Sequence, residues 1–265
     1  MKRAADAFVE VRRDGSVAIV TVNFDPGRPA LHLASGQALL LAIQELHADP
    51  ACRSVVLTGR GVDFCPGGSL SPPIAGGCAS DAIAARGELR TATTLFRDIR
   101  RGPKPVLAAV EGAARGTGLG LVAASDYVVA ASNARFSCGA LTEGLLPDCG
   151  LLWALPEKLG DAVAREILML GSPLAAAEAQ RLGLVSKLAA AGKALEQAVS
   201  VARVFDGLPA VAVALLKAAL FNGSLSMEDS CRMELDLNPL VRQAVDHKEA
   251  VAAFMGKRPP SFVDN

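Results

Sequence analysis

A chain of 265 residues with 51% hydrophobic content is long enough for one large apolar core, or for a core with an appendage. Lys+Arg and Asp+Glu balance at 27 each, so no basic field exists to hold a phosphodiester backbone, and no nucleic-acid partner is expected. The cysteines (Cys52, Cys65, Cys78, Cys138, Cys149 and Cys231) form no CxxC pair, which argues against a zinc site and against a secreted disulfide framework.

The start, MKRAADAFVEVRRDG, has no apolar run behind its basic residues, and nowhere do about 18 apolar residues follow one another. A cytoplasmic protein with reduced thiols and no membrane partner is expected. Two alternating runs in FVEVRRDGSVAIVTVNF flank Asp14-Gly15 and predict a hairpin. SGQALLLAIQELHADP has helical spacing behind Ser35 as a candidate N-cap, and RSVVLTG reads as a buried strand closed by Gly59. Residues 69–87 are rich in Gly, Pro, Ser and Ala without a period, which predicts a loop beside a site. LRTATTLFRDIRRG returns to helix and PVLAAV to strand. GAARGTGLGLVAASDYVVAA, residues 112–131, reads as a loop, a glycine-rich turn, a short helix and a strand. This alternation predicts an α/β core with largely parallel strands. After LGLVSKL, residues 182–188, strands cease and helical patterns follow. A boundary near residue 195 divides a core, 1–194, from a C-terminal helical region, 195–265.

The glycine-rich turn carries the candidate chemistry. A dinucleotide fingerprint needs a third glycine where Leu121 stands after Gly116 and Gly118, and the next strand ends in Ser132-Asn133 rather than in an acid. An oxyanion site fits better. Small residues admit a ligand to the backbone, and a helix start presents N–H groups toward negative charge. A second glycine turn, in DFCPGGSL, offers a partner donor at Gly67-Gly68. Two close-packed strand corners would read the same way locally.

The segments SVVLTGRGVDFCPGG, KPVLAAVEGAARGTGLGLVAASDYVVAASNARFS, GLLPDCG, LPEKLG, AREILMLGSPLAAAEAQRLGLVSKL and KEAVAAFMGKRPPSF follow one another in an order that resembles the crotonase (enoyl-CoA hydratase/isomerase) superfamily. The resemblance runs from about residue 7 to 262. It implies a spiral of β-β-α turns with a C-terminal helical region that joins copies into a homotrimer or hexamer. It also implies an acyl-CoA or acyl-carrier-protein substrate, whose thioester oxygen is held by the backbone N–H groups of Gly68 and Thr117, with Gly67 and Gly116 beside them. Arg28 and Ala30 in GRPAL, and Lys257 in GKRPPSF, match positions near the coenzyme A portion. No cofactor is implied beyond the coenzyme A or phosphopantetheine of the substrate itself.

Hydratases of that family carry two glutamates, and by alignment of the motifs their places fall here on Gly120 and Ala140. Adding water to a double bond needs a base for the water and an acid for the α-carbon, each worth about 10²- to 10⁴-fold. Hydration is therefore not expected. Asp148 in GLLPDCG falls where isomerase members of the family carry an acid, and isomerisation needs one base that lifts a proton and returns it elsewhere. Its leucine-rich surroundings should raise its pKa. Asp148 is also placed to cap a helix beginning near Cys149.

Glu143 reads as a surface or structural residue, and Cys149 as a small buried one. His32, His47 and His247 show no ligand spacing, so no metal is expected. The leading expectation is an acyl-CoA isomerase using Asp148. One alternative is a lyase, decarboxylase or dehydratase acting on CoA- or carrier-bound acyl groups; a second is a non-catalytic acyl-CoA-binding protein.

Overall fold

Strands β1 (Val9–Asp14) and β2 (Val17–Val22) pair antiparallel with Asp14 opposite Val17, and Gly15 at φ 61 supplies the left-handed turn residue. The computed structural model that shows this describes residues 8–23, 33–67, 82–221 and 226–263. From β2 the sheet continues in parallel through β3 (Ser54–Gly59), β4 (Val106–Val110), β6 (Tyr127–Ala131) and β9 (Lys187–Ala189). Its order is β1-β2-β3-β4-β6-β9. A smaller sheet joins β5 (Ala113–Arg115), β7 (Arg135–Ser137) and β8 (Leu174–Ala175) in the order β5-β7-β8. This is the mixed, largely parallel α/β architecture expected from the sequence.

The parallel strands read as unbroken apolar runs because both of their faces are covered. Val20, Leu57, Ala108 and Ala130 face a large apolar cluster with Leu39 and Ile43 of α1 (Leu33–Ala48) and Leu95 and Ile99 of α2 (Ala82–Arg101). The alternate residues Ile19, Val56, Leu107 and Val129 face a second cluster. There Ala194, Ala198 and Ala202 of α7 (Ala194–Ala202) cover the sheet.

Helices α3 (Thr117–Ala124), α4 (Leu151–Leu159), α5 (Asp161–Arg165) and α6 (Ala176–Arg181) lie between the strands in the chain. After α7 come α8 (Ala210–Phe221), α9 (Met227–Gln243) and α10 (Val245–Met255). Among the described residues no single helix is long and apolar enough to cross a membrane.

Three local expectations are corrected. Ser35 is no N-cap: it lies inside α1 and is only 1% exposed, because the helix already begins at Leu33. The segment expected as loop to residue 87 is helical from Ala82, alanine's helix propensity prevailing over the breaker Gly87. The stretch before the glycine turn contains strand β5, too short for its periodicity to show.

Candidate active site

Two loops are brought together by backbone pairing. Cys65 bridges β5 in parallel: its N–H donates to the Ala113 carbonyl at 2.9 Å, and the Arg115 N–H donates to the Cys65 carbonyl at 3.0 Å. Asp63 steadies the same corner, its carboxylate accepting from the Ala113 N–H at 2.7 Å. Gly67 is thereby set beside Arg115 and the start of α3. A Cβ on Gly67 would lie 3.5 Å from the Arg115 Cβ, and its φ of 119 is one that side chains rarely adopt.

Gly116 precedes α3 at φ 51 and ψ −118, its N–H bound to the Ser137 carbonyl at 3.0 Å. Helix α3 is buried on every residue, and its small residues are a packing requirement. A Cβ on Gly118 would meet the Cys65 Cβ at 2.5 Å, and one on Gly120 would meet the Cys149 Cβ at 2.6 Å. The helix is wedged between the two cysteines, which sets where Thr117 stands.

The cavity at this junction measures about 160 Å³, and its walls include Gly67, Gly116, Thr117, Ala140 and Asp148. Thr117 is only 1% exposed on that wall. Burial pushes the Asp148 carboxyl above its ordinary 3.8, against the opposing pull of its own backbone N–H and of the Thr117 side chain. Asp148 does not cap the following helix. Gly150 occupies the N-cap of α4, and the Leu151 N–H donates to the Asp148 backbone carbonyl at 3.1 Å, which leaves the side chain facing the cavity.

The neighbouring groups sort by environment. Cys149 is 2% exposed at φ 49, its thiol toward the Ala92 carbonyl at 3.7 Å. Burial raises its pKa well above 9.0, so it holds no thiolate for attack on a thioester. The Cys138 thiol is likewise pushed up, by burial first and then by Asp148 and Glu143. Glu143 and Arg115 are exposed residues on the cavity wall. Ala140, which motif order alone matches to the second hydratase glutamate, also lines the cavity and brings no acid to it.

Of the other residues singled out in the sequence, Gly68, Arg28 and Ala30 lie outside the described residues. Lys257 is exposed, at φ 50 beyond α10, and is not among the residues lining this cavity. Among the described residues no group of three or more His, Cys, Asp or Glu side chains is placed to hold a metal ion.

The sequence reading missed Arg115 and the side chain of Thr117. An arginine directly before the glycine turn was the available signal for the first. For the second no local signal exists, because Thr117 and Asp148 meet at one cavity only through the packing of α3 against the loop that precedes α4.

Compared with known proteins, residues 12–265 match the family described as enoyl-CoA hydratase/isomerase. The chain belongs to the enoyl-CoA hydratase/isomerase family. It is 31% identical over 221 residues to the 1,2-epoxyphenylacetyl-CoA isomerase of Escherichia coli, covering 83% of this chain and 84% of that protein. It is 30% identical over 257 residues to the 2,3-dehydroadipyl-CoA hydratase of the same organism, covering 95% and 97%. The crystal structure of an enoyl-CoA hydratase from Polaromonas sp. JS666 superposes with a TM-score of 0.90 at 35% identity, covering 96% of this chain and 99% of that one. The crotonase-type fold follows, and with it membership of an acyl-CoA hydratase/isomerase enzyme family.

Proposed function

We propose that this family member is an acyl-CoA isomerase that moves a double bond through an enolate, with Asp148 as the proton shuttle. The observation that carries the reading is the pairing of a cavity-facing, largely buried Asp148 with a site that lacks both hydratase acids, at Gly120 and Ala140. In a 3-enoyl thioester the Asp148 carboxylate takes the proton from C2, and the electron pair enters a dienolate. Backbone N–H groups of Thr117 and Gly68 hold the oxygen of that dienolate, a kind of donor worth roughly 3–4 kcal/mol in catalysis. The proton returns to C4. One carboxylate whose pKa is raised toward neutrality suits both halves of the cycle.

Arg28, Ala30 and Lys257 contact the coenzyme A or phosphopantetheine portion in this reading, and the reaction needs no separate cofactor. Residues 195–265 join copies into a trimer or hexamer, and the enzyme works in the cytoplasm, where free thiols such as Cys52 and Cys231 stay reduced.

Asp148→Asn tests the assignment, since it keeps the shape and removes the base. Conversion of 3-enoyl-CoA to 2-enoyl-CoA, followed with straight-chain and aryl thioesters, should fall by at least about 10²-fold while thioester binding stays within a few-fold. Wild-type turnover in the folded variant would remove Asp148 from the mechanism.

A further inference from the structure

We propose that Arg115 makes this cavity selective for acyl groups that carry a second carboxylate, so that the preferred substrate class is the monothioester of a dicarboxylic acid. The inference rests on the reading that an acyl thioester occupies this cavity. Arg115 ends β5, and its backbone is held in place by both neighbouring segments. Its N–H donates to the Cys65 carbonyl at 3.0 Å, it pairs with Ser137 across the small sheet, and its Cβ lies 3.5 Å from where a Cβ on Gly67 would stand. Gly116 and Thr117 follow directly, so the arginine stands between the two loops proposed to hold the thioester oxygen. It lines the same cavity as Asp148.

Surface arginines of this chain pair with acids, as Arg181 does with Glu178 and Arg258 with Glu249. Arg115 does not. Among the described residues its guanidinium has no ion pair and no hydrogen bond, although Glu143 lines the same cavity. Arg115 is also the one cation among the described residues of that wall, which is otherwise largely apolar through Pro66, Leu145, Leu146 and Leu151. A guanidinium is a planar fork of donors, and the partner that matches it is a carboxylate or a phosphate held through two N–H groups. The phosphates of coenzyme A stand at the other end of the pantetheine arm from the thioester, so the anion that meets Arg115 inside the cavity belongs to the acyl group. A cavity of about 160 Å³ admits a short chain, which keeps a terminal carboxylate within reach of a side chain on the wall. Glu143 repels the same group, and Arg115 is left to receive it.

Saturated thioesters test this, because they bind without reacting. Glutaryl-, adipoyl- and pimeloyl-CoA are each titrated by calorimetry beside the neutral acyl-CoA of equal carbon count: pentanoyl-, hexanoyl- and heptanoyl-CoA. At least one diacid should bind about tenfold or more tightly than its neutral counterpart, the scale of a hydrogen bond to a charged group. In Arg115→Gln that ratio of dissociation constants should fall to about one. In Arg115→Glu the diacid should become the weaker ligand of the two.

Arg115 is exposed, and circular dichroism establishes that both variants are folded. A ratio near one in the wild type at all three chain lengths would overturn the selectivity, and so would a ratio that survives Arg115→Gln. The same titrations on Asp148→Asn keep this inference apart from the isomerase reading. A diacid preference in that variant supports the role of Arg115 whether or not the variant still isomerises, whereas a wild-type enzyme that isomerises neutral 3-enoyl-CoA and shows no diacid preference would lose Arg115 as its selector and keep Asp148 as its base. A protein that binds none of the six thioesters would overturn both.

Discussion

Gly120 and Cys149 compete for one space: a Cβ on Gly120 would lie 2.6 Å from the Cys149 Cβ and 2.7 Å from its carbonyl oxygen. By motif order, Gly120 falls where the resemblance puts the first hydratase glutamate. Helix propensity alone would have alanine in place of a helical glycine stabilise by about 1 kcal/mol. The contact with an immovable backbone oxygen reverses the sign, and overpacking of this kind costs about 1–3 kcal/mol. Gly120→Ala should therefore unfold at lower urea concentration than the wild type. Gly120→Glu should be less stable still and gain no hydration of 2-enoyl thioesters. A glutamate variant that is stable and hydrates crotonyl-CoA would show that Cys149 yields.

Asp148 ties the proposed proton transfer to stability. Burial holds its carboxyl above the ordinary 3.8, so folding favours the protonated form. A group of this sign supports the fold fully below its unfolded-state pKa and loses that support as pH rises through its folded-state value. Asparagine carries no charge at any pH and matches aspartate in shape. Asp148→Asn should accordingly melt at a higher temperature than the wild type at pH 7. The gap should close as pH falls below about 3.8, the ordinary aspartate value. A variant less stable than wild type at neutral pH would contradict the burial argument.

Much of this was legible in the chain. The hairpin follows from period-two alternation around Asp14-Gly15, and the central strands from apolar runs in which neighbouring residues serve opposite clusters, such as Val56 and Leu57. The glycine turn and Asp148 could be picked out because motif order placed them. What could not be read depends on packing across the chain: Ser35 faces a core rather than capping a helix, and Thr117 shares a cavity with an acid far away in sequence. Gly118 and Gly120 are glycines because of cysteines in other segments.

Assembly is the next expectation. Leu216 and Leu220 on α8 are 60% and 67% exposed, and Phe254 and Met255 on α10 are 82% and 77% exposed. An apolar groove of about 510 Å³ lies between α8 and α9, lined by Leu215, Leu216 and Leu220 from one side and Met233, Leu237 and Val241 from the other. Apolar surface of this kind is ordinarily covered. Light scattering at micromolar concentration should give three or six times the chain mass of 27.3 kDa. A stable monomer would refute the trimeric reading.

Lys217 of α8 is charged, yet it is 8% exposed. Its ammonium donates to the carbonyls of Ile99 and Lys104, each at 2.8 Å, and to the Asp126 carboxylate at 2.6 Å. All three donors are used. The same Asp126 oxygen accepts from the Val106 N–H at 2.8 Å, so one cation joins α8 to the end of α2 and to the entry of β4. Burial lowers the Lys217 pKa, and the charge and hydrogen bond of the neighbouring Asp126 oppose that shift. Farther along α8, Phe221 packs on Trp153 of α4 with ring centroids 5.9 Å apart. Removing one partner of a buried pair strands the other, at a cost of about 3–5 kcal/mol. Lys217→Met should lose stability on that scale. Lys217→Met with Asp126→Asn should lose clearly less than the two single variants summed, because the second substitution removes the stranded charge. Additive losses in urea unfolding would mean that the lysine acts through its two carbonyl contacts and not through Asp126.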